Sequence, residues 1–165
     1  MSISDTLRWP KSFGLGRSAT AAEIARIDID VRPDGKGLPA GSGTVKSGKE
    51  IYAVKCAACH GVMATDGPND RLVVGDTTKG KRIKAIGNYW PYATTIFDYV
   101  RRAMPFNQPG SLTNEEVYSL TAYLLNANGL IGEKTVVNAA SLPKVKMPAQ
   151  QRFVPDDRKG GLEIR

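Results

Sequence analysis

Three stretches of the chain carry apolar residues at helical spacing, with turn-rich segments between them. In the last stretch, Val117, Leu120, Tyr123, Leu124 and Ala127 fall on one face of a helix. Thr113 and Glu116 form a capping box at its start, and Leu112 and Val117 occupy the positions of a hydrophobic staple. Asn128-Gly129 ends it. A middle helix is predicted from Pro91 to Ala103, with Ile96, Val100 and Ala103 in one stripe and Phe97 and Tyr99 beside it. Pro91 suits a first helical position, and Pro105 stops the helix because the residue before a proline avoids helical angles. The first core helix is predicted to start at Ser47, where Ser47-Gly48-Lys49-Glu50 reads as another capping box before Ile51, Tyr52 and Lys55.

The predicted fold is therefore all-α, with a helical core over residues 44–131. Residues 1–43 form an N-terminal arm. It contains one short helix, opened by the capping box Thr20-Ala21-Ala22-Glu23 and carrying Ile24 and Ile27. Arg32 to Gly43 is almost entirely turn chemistry. Residues 132–165 form an extended C-terminal arm divided by Pro143, Pro148 and Pro155. Two readings of that arm stand: a mobile tail, or a segment whose Leu142, Val145, Met147 and Phe153 rest on the core or on a partner.

Composition narrows the class. Hydrophobic residues at 41% and charged residues at 24% fit a folded soluble domain. The formal charge is +7, which favours acidic partners. The basic residues are dispersed and are not interleaved with aromatics, so a nucleic-acid footprint is absent. The densest basic run, Lys79-Gly80-Lys81-Arg82-Ile83-Lys84, reads as a solvated loop or as a docking surface for an acidic redox partner. No apolar run reaches the ~18–20 residues of a membrane span.

The chemistry is concentrated in five residues. The chain has two cysteines and one histidine, and all three fall in Cys56-Ala57-Ala58-Cys59-His60. That spacing followed directly by histidine is the attachment motif for haem c. Cys56 and Cys59 are three apart and share a helical face, as two thioether bonds to one flat ring require. A structural zinc site needs a fourth ligand, and no other Cys or His exists. A redox CxxC would need a βαβ setting that this sequence lacks. One covalent haem c is expected, with His60 as proximal iron ligand. Such attachment takes place outside the bacterial cytoplasm. A periplasmic location is therefore expected, and the leader is expected to have been removed, because Met1-Ser2-Ile3-Ser4-Asp5 has no leader character.

A single histidine rules out bis-histidine ligation by this chain. Among four methionines, Met1 is terminal and Met63 is too near His60 to reach the opposite face of the ring. Met104 lies between the middle and last helices, far enough on to wrap the haem edge and return as distal ligand. Met147, in the tail, and an open distal position are the alternatives. Trp90 and Tyr92, just before the middle helix, are candidate donors toward the haem propionates. An open position would suit a haem enzyme, but no histidine remains as a distal acid–base group.

The order of helix, CxxCH, Met-Pro loop and C-terminal helix resembles the class I cytochromes c over residues 44–131. A closer resemblance includes the arms. Phe13-Gly14-Leu15-Gly16-Arg17, Asp28 to Gly35, Tyr89-Trp90-Pro91-Tyr92-Ala93, Arg102-Ala103-Met104-Pro105-Phe106, Leu142-Pro143 and Phe153 to Arg158 resemble the cytochrome subunit of sulfane dehydrogenase, the SoxD type. The resemblance implies a class I cytochrome c-like core around one haem. It implies Cys56 and Cys59 as attachments, His60 and Met104 as iron ligands, and arms that embrace a partner. That partner would be a molybdenum subunit of the sulfite oxidase class, with a downstream soluble cytochrome c as electron acceptor. Val62 to Gly67 departs from the family's glycine-rich pattern, so the partner's substrate stands as sulfane or sulfite. A free-standing soluble carrier is the alternative to a subunit.

Overall fold

Local chemistry starts and stops the helices of the computed structural model, which describes residues 13–75 and 83–154. Six α-helices are found among them: α1 (Ala21–Ile27), α2 (Val45–Lys55), α3 (Ala57–His60), α4 (Ile86–Tyr89), α5 (Ala93–Ala103) and α6 (Asn114–Ala127). None is long and apolar enough to cross a membrane. The capping boxes expected for α1 and α6 are formed by Thr20–Glu23 and Thr113–Glu116. α6 ends in paired bonds, Gly129 N–H to the Asn126 carbonyl at 2.8 Å and Leu130 N–H to the Leu125 carbonyl at 2.9 Å. Gly129 takes φ +71, which glycine adopts without strain.

Two helix starts differ from expectation. α2 begins at Val45, because Thr44 is already extended and its hydroxyl accepts from the Ser47 amide at 3.2 Å. Ser47 thus sits inside the first turn instead of capping it. α5 begins at Ala93, with Pro91 and Tyr92 outside it. The cause is α4, a single turn the apolar pattern is too short to reveal. Trp90 leaves it extended, and Tyr92 is extended again.

α5 and α6 build the core. Ile96, Phe97, Tyr118, Leu120 and Leu125 are all essentially inaccessible. The Phe97 and Tyr118 rings meet at 4.4 Å. α2 crosses α6 where side chains are smallest, at Gly48 and Ser119. Beyond the crossing, Tyr52 packs on Tyr123 with ring centroids 5.0 Å apart, and Lys55 reaches Glu116 at 2.6 Å.

The arms are anchored on this core. A two-stranded antiparallel sheet pairs β1 (Ser42–Thr44) with β2 (Val136–Asn138), Gly43 opposite Val137. Three-residue strands are too short to show period-two alternation, so the sheet is invisible in the pattern. Beyond it, Leu142, Met147 and Ala149 are buried, so the described tail lies against the core. Arg152 donates to the Asn88 carbonyl at 3.1 Å, and Phe153 meets Tyr89 edge-on. On the other side, Tyr118 Oη donates to the Pro39 carbonyl at 2.8 Å. The Val31 amide donates to Asp98 Oδ1 at 2.8 Å, and Arg101 donates to the Ile29 carbonyl at 3.1 Å.

Candidate functional site

α2 delivers the chain to Cys56, where the backbone leaves helical angles (φ −124°, ψ −34°) before the single turn of α3. Cys56 is half-buried and Cys59 exposed, and the two form no disulfide with each other. Burial pushes the Cys56 thiol up to about 11. Gly61 then reverses the chain at φ +81. A Cβ there would stand 2.1 Å from Asp66 Oδ1, and one on Gly67 would stand 2.3 Å from the His60 carbonyl carbon. Only glycines allow the loop to fold back this closely on the motif.

The returning loop sets the histidine. The Asn69 amide donates to the Cys59 carbonyl at 3.0 Å, and the next carbonyl, that of Asp70, lies 2.9 Å from His60 Nδ1. A carbonyl only accepts, so Nδ1 carries a proton, and Nε2 is the nitrogen left to offer a lone pair when the ring is neutral. That is the form of a neutral imidazole ligand. Tyr52 supports the loop from beneath, its Oη donating to the Gly61 carbonyl at 2.9 Å. Burial raises the Tyr52 phenol well above its ordinary range, so it stays a donor.

Cys56, Cys59, His60, Trp90 and Met104 line one cavity of about 1620 Å³. Ordinary small-ligand pockets run to ~300–1,000 Å³. Ile96, Val100, Leu120 and Leu124 give it an apolar wall. Tyr89, Tyr99 and Phe106 also line it while remaining 44%, 46% and 86% exposed. Large apolar side chains facing a common void need a large apolar occupant. Two thiols, one imidazole with a free nitrogen and one thioether on the lining of such a void fit a haem c. By contrast, the described residues hold no cluster of three or more Cys, His, Asp and Glu side chains arranged around a metal ion.

The remaining candidates fall elsewhere. Met63 is exposed at the surface, and Met147 is buried where the tail packs on the core; neither lines the cavity. Met1 lies outside the described residues, as do Lys79 to Arg82 of the basic run. Trp90 stands on the lining, edge-on to Tyr99 at 5.7 Å. Tyr92 is not on the lining of this cavity. It lines a separate pocket of about 240 Å³ with Pro33, Asp34 and Pro143, because α5 starts later than the pattern suggests. Asp70 and Tyr52 act where no side-chain motif marks them: one contributes only a backbone carbonyl, and the other looks like ordinary core.

Residues 45–128 match the family model of cytochrome c. The chain belongs to the cytochrome c family. Its role is that of a cytochrome c, electron transfer. The likeness extends past the matched segment. The crystal structure of the sulfane dehydrogenase SoxCD from Paracoccus pantotrophus contains a chain 36% identical to this cytochrome, with a TM-score of 0.78. The match covers 93% of this cytochrome and 82% of that chain. A thiosulfate dehydrogenase from Psychrobacter arcticus is 29% identical over 102 residues. That alignment takes in 59% of the cytochrome but 31% of the dehydrogenase, so the cytochrome spans about a third of that relative's length. Sulfur-compound dehydrogenases thus supply both relatives.

Proposed function

We propose that this cytochrome is the periplasmic electron-accepting subunit of a molybdenum-dependent sulfur-compound dehydrogenase, of sulfane or sulfite, and carries one covalent haem c. The observation that carries the reading is the extent of the likeness to the SoxCD chain: 93% of this cytochrome, arms included. A free-standing carrier needs only the haem core. Here the arms are held on that core by Asp98, Tyr118 and the β1–β2 pair, while Leu15, Ile27 and Val154 remain 89%, 82% and 87% exposed. Anchored arms presenting exposed apolar residues suit a standing interface with a partner of the sulfite oxidase class.

In this reading Cys56 and Cys59 hold the haem through thioether bonds, His60 is the proximal ligand and Met104 the distal one. When bound, the haem supplies a one-electron Fe(III)/Fe(II) couple, and a soft thioether ligand raises its potential. The chain's own part is to fix its donors and exclude water. The Asp70 carbonyl holds the imidazole tautomer, Pro105 keeps Met104 extended at the end of α5, and the α5–α6 wall keeps the site apolar. Electrons would leave to a soluble cytochrome c, to which a net basic surface offers complementary charge.

The test is co-purification. Tagged, haem-loaded cytochrome expressed with its native neighbours should retain a molybdenum protein in a fixed ratio, with sulfane- or sulfite-dependent haem reduction. A monomer by light scattering in the presence of that protein would overturn the subunit reading.

A further inference from the structure

Asn128 makes four hydrogen bonds with its side chain. Oδ1 accepts from the Val74 and Gly87 amides at 3.3 and 3.2 Å, and Nδ2 donates to the Leu72 and Leu124 carbonyls at 3.0 and 2.9 Å. Two donors and two lone pairs are the full capacity of a carboxamide. A flipped amide would turn its donors on two N–H groups, so the partners dictate one orientation. Helix capping does not account for this. The backbone bonds of Gly129 and Leu130 already close α6. Of the four bonds, only that to Leu124 stays within α6.

The other three run to the cavity wall. Leu72 lines the cavity, and Gly87 follows the lining residue Ile86. Val74 lies four residues after Asp70, whose carbonyl holds His60 Nδ1. That stretch has two grips. The Leu72 and Val73 amides donate to the Ala64 carbonyl at 2.9 and 3.1 Å, and Asn128 takes the Leu72 carbonyl and the Val74 amide. Without Asn128, the Ala64 carbonyl is, among the described residues, the one other hydrogen-bond hold on the backbone of Leu72 to Val74, beside the packing of Leu72 and Val73 on the core.

We propose that Asn128 is a positioning residue for the proximal ligand: it fixes the Asp70–Val74 stretch so that the Asp70 carbonyl keeps its hold on the His60 ring. The inference rests on the reading of His60 as iron ligand. A hydrogen bond at Nδ1 sets ring orientation and raises the donor strength of the other nitrogen. Loosening it weakens that donor, which disfavours Fe(III) and moves the reduction potential upward.

The experiment uses the full haem-loaded chain in its ferric form and follows solvent exchange of the His60 Nδ1 proton by NMR, with the potential measured in parallel. Asn128→Ala should exchange that proton at least tenfold faster and raise the potential. Asn128→Asp keeps both acceptor contacts and loses both donors, and should fall between. Gly87→Ala, whose Cβ would stand 2.6 Å from Asn128 Oδ1, should reproduce the effect from the opposite side and keeps the test open if Asn128→Ala fails to fold. Leu142→Ala, a fully buried site beneath the tail, controls for general destabilisation and should leave both readouts in place. Unchanged exchange and potential in the Asn128 and Gly87 variants, or an equal change in Leu142→Ala, would overturn the proposal. A wild-type protein with no paramagnetically shifted His60 ring would instead sink the ligand reading itself, and this inference with it.

Discussion

Gly48 in α2 lies so close to Ser119 in α6 that a Cβ on the glycine would stand 1.9 Å from the Ser119 carbonyl oxygen. The same Cβ would come within 2.7 Å of Tyr123 Cβ. The obstacle is backbone, so no rotamer change relieves it. The helix that leads into Cys56 is thereby seated on the last helix at a distance only glycine permits.

Gly48→Ala should therefore destabilise the protein. On propensity alone the change would add about 1 kcal/mol of helix stability. Overpacking a tight contact costs about 1–3 kcal/mol, and here the helices must separate. A net loss of about 2 kcal/mol, read as a lower urea midpoint, is expected. A midpoint at or above that of the wild type would refute this account of the crossing.

Met104 and Met147 should separate cleanly. Met104→Ala removes the only methionine among the described residues of the cavity lining and should abolish the ferric thioether-to-iron absorption band. Met147→Ala should keep the band. Met147, in the tail, is 3% exposed against the core, so its truncation should lower stability by about 2–5 kcal/mol in a urea titration. The reverse pattern of bands would assign the distal ligand to the tail.

The contrast between these methionines also marks what was legible in the chain. Both precede proline, and only their order relative to the last helix distinguished them; Met104 lines the cavity and Met147 does not. Helices with full heptads of periodicity and capping boxes, such as α6, were readable because their signals are local. α4 and the β1–β2 pair were not, being too short for any period to register. The start of α5 was set too early for the same reason: an unseen turn at Ile86–Tyr89 delays it to Ala93. The support around His60 was hidden more deeply. Asp70 contributes a carbonyl, which every residue type has, and Asn128 reaches Val74 and Gly87, far away in the chain.

Glu116 should make stability depend on acid pH. The Lys55 ammonium and the Thr113 amide hold its carboxyl below the ordinary carboxylate value of about 4.3. A lowered folded-state value means the contribution is fully present above that ordinary value. It is lost as pH falls through the folded one. Lys55→Met should cost about 0.2–1 kcal/mol at neutral pH and flatten the acid limb of the stability curve. Thr113→Ala removes the hydroxyl cap as well and should cost about 1 kcal/mol without the same flattening. Equal acid limbs for wild type and Lys55→Met, measured by urea titration at stepped pH, would show the pair to be idle.

Asp98 tests how the N-terminal arm is tied to the haem domain. It lies on α5, 8% exposed, and its carboxylate takes the Val31 amide on one oxygen while pairing with the Arg102 guanidinium. Val31 is itself buried, so the amide has no water to turn to. Asp98→Ala strands a buried N–H, at a cost of about 1–3 kcal/mol. Asp98→Asn keeps an acceptor for Val31 but loses the charge toward Arg102, and should cost less. Because Tyr118 still holds Pro39 in either variant, the chain before Pro39 should loosen while the core stays intact. Limited proteolysis is the direct readout: cleavage near Arg32 and Lys36 should accelerate in Asp98→Ala, less so in Asp98→Asn, with the haem spectrum unchanged. Were cleavage in Asp98→Ala as slow as in the wild type, the arm would owe its place to Arg101, Tyr118 and the β1–β2 pair.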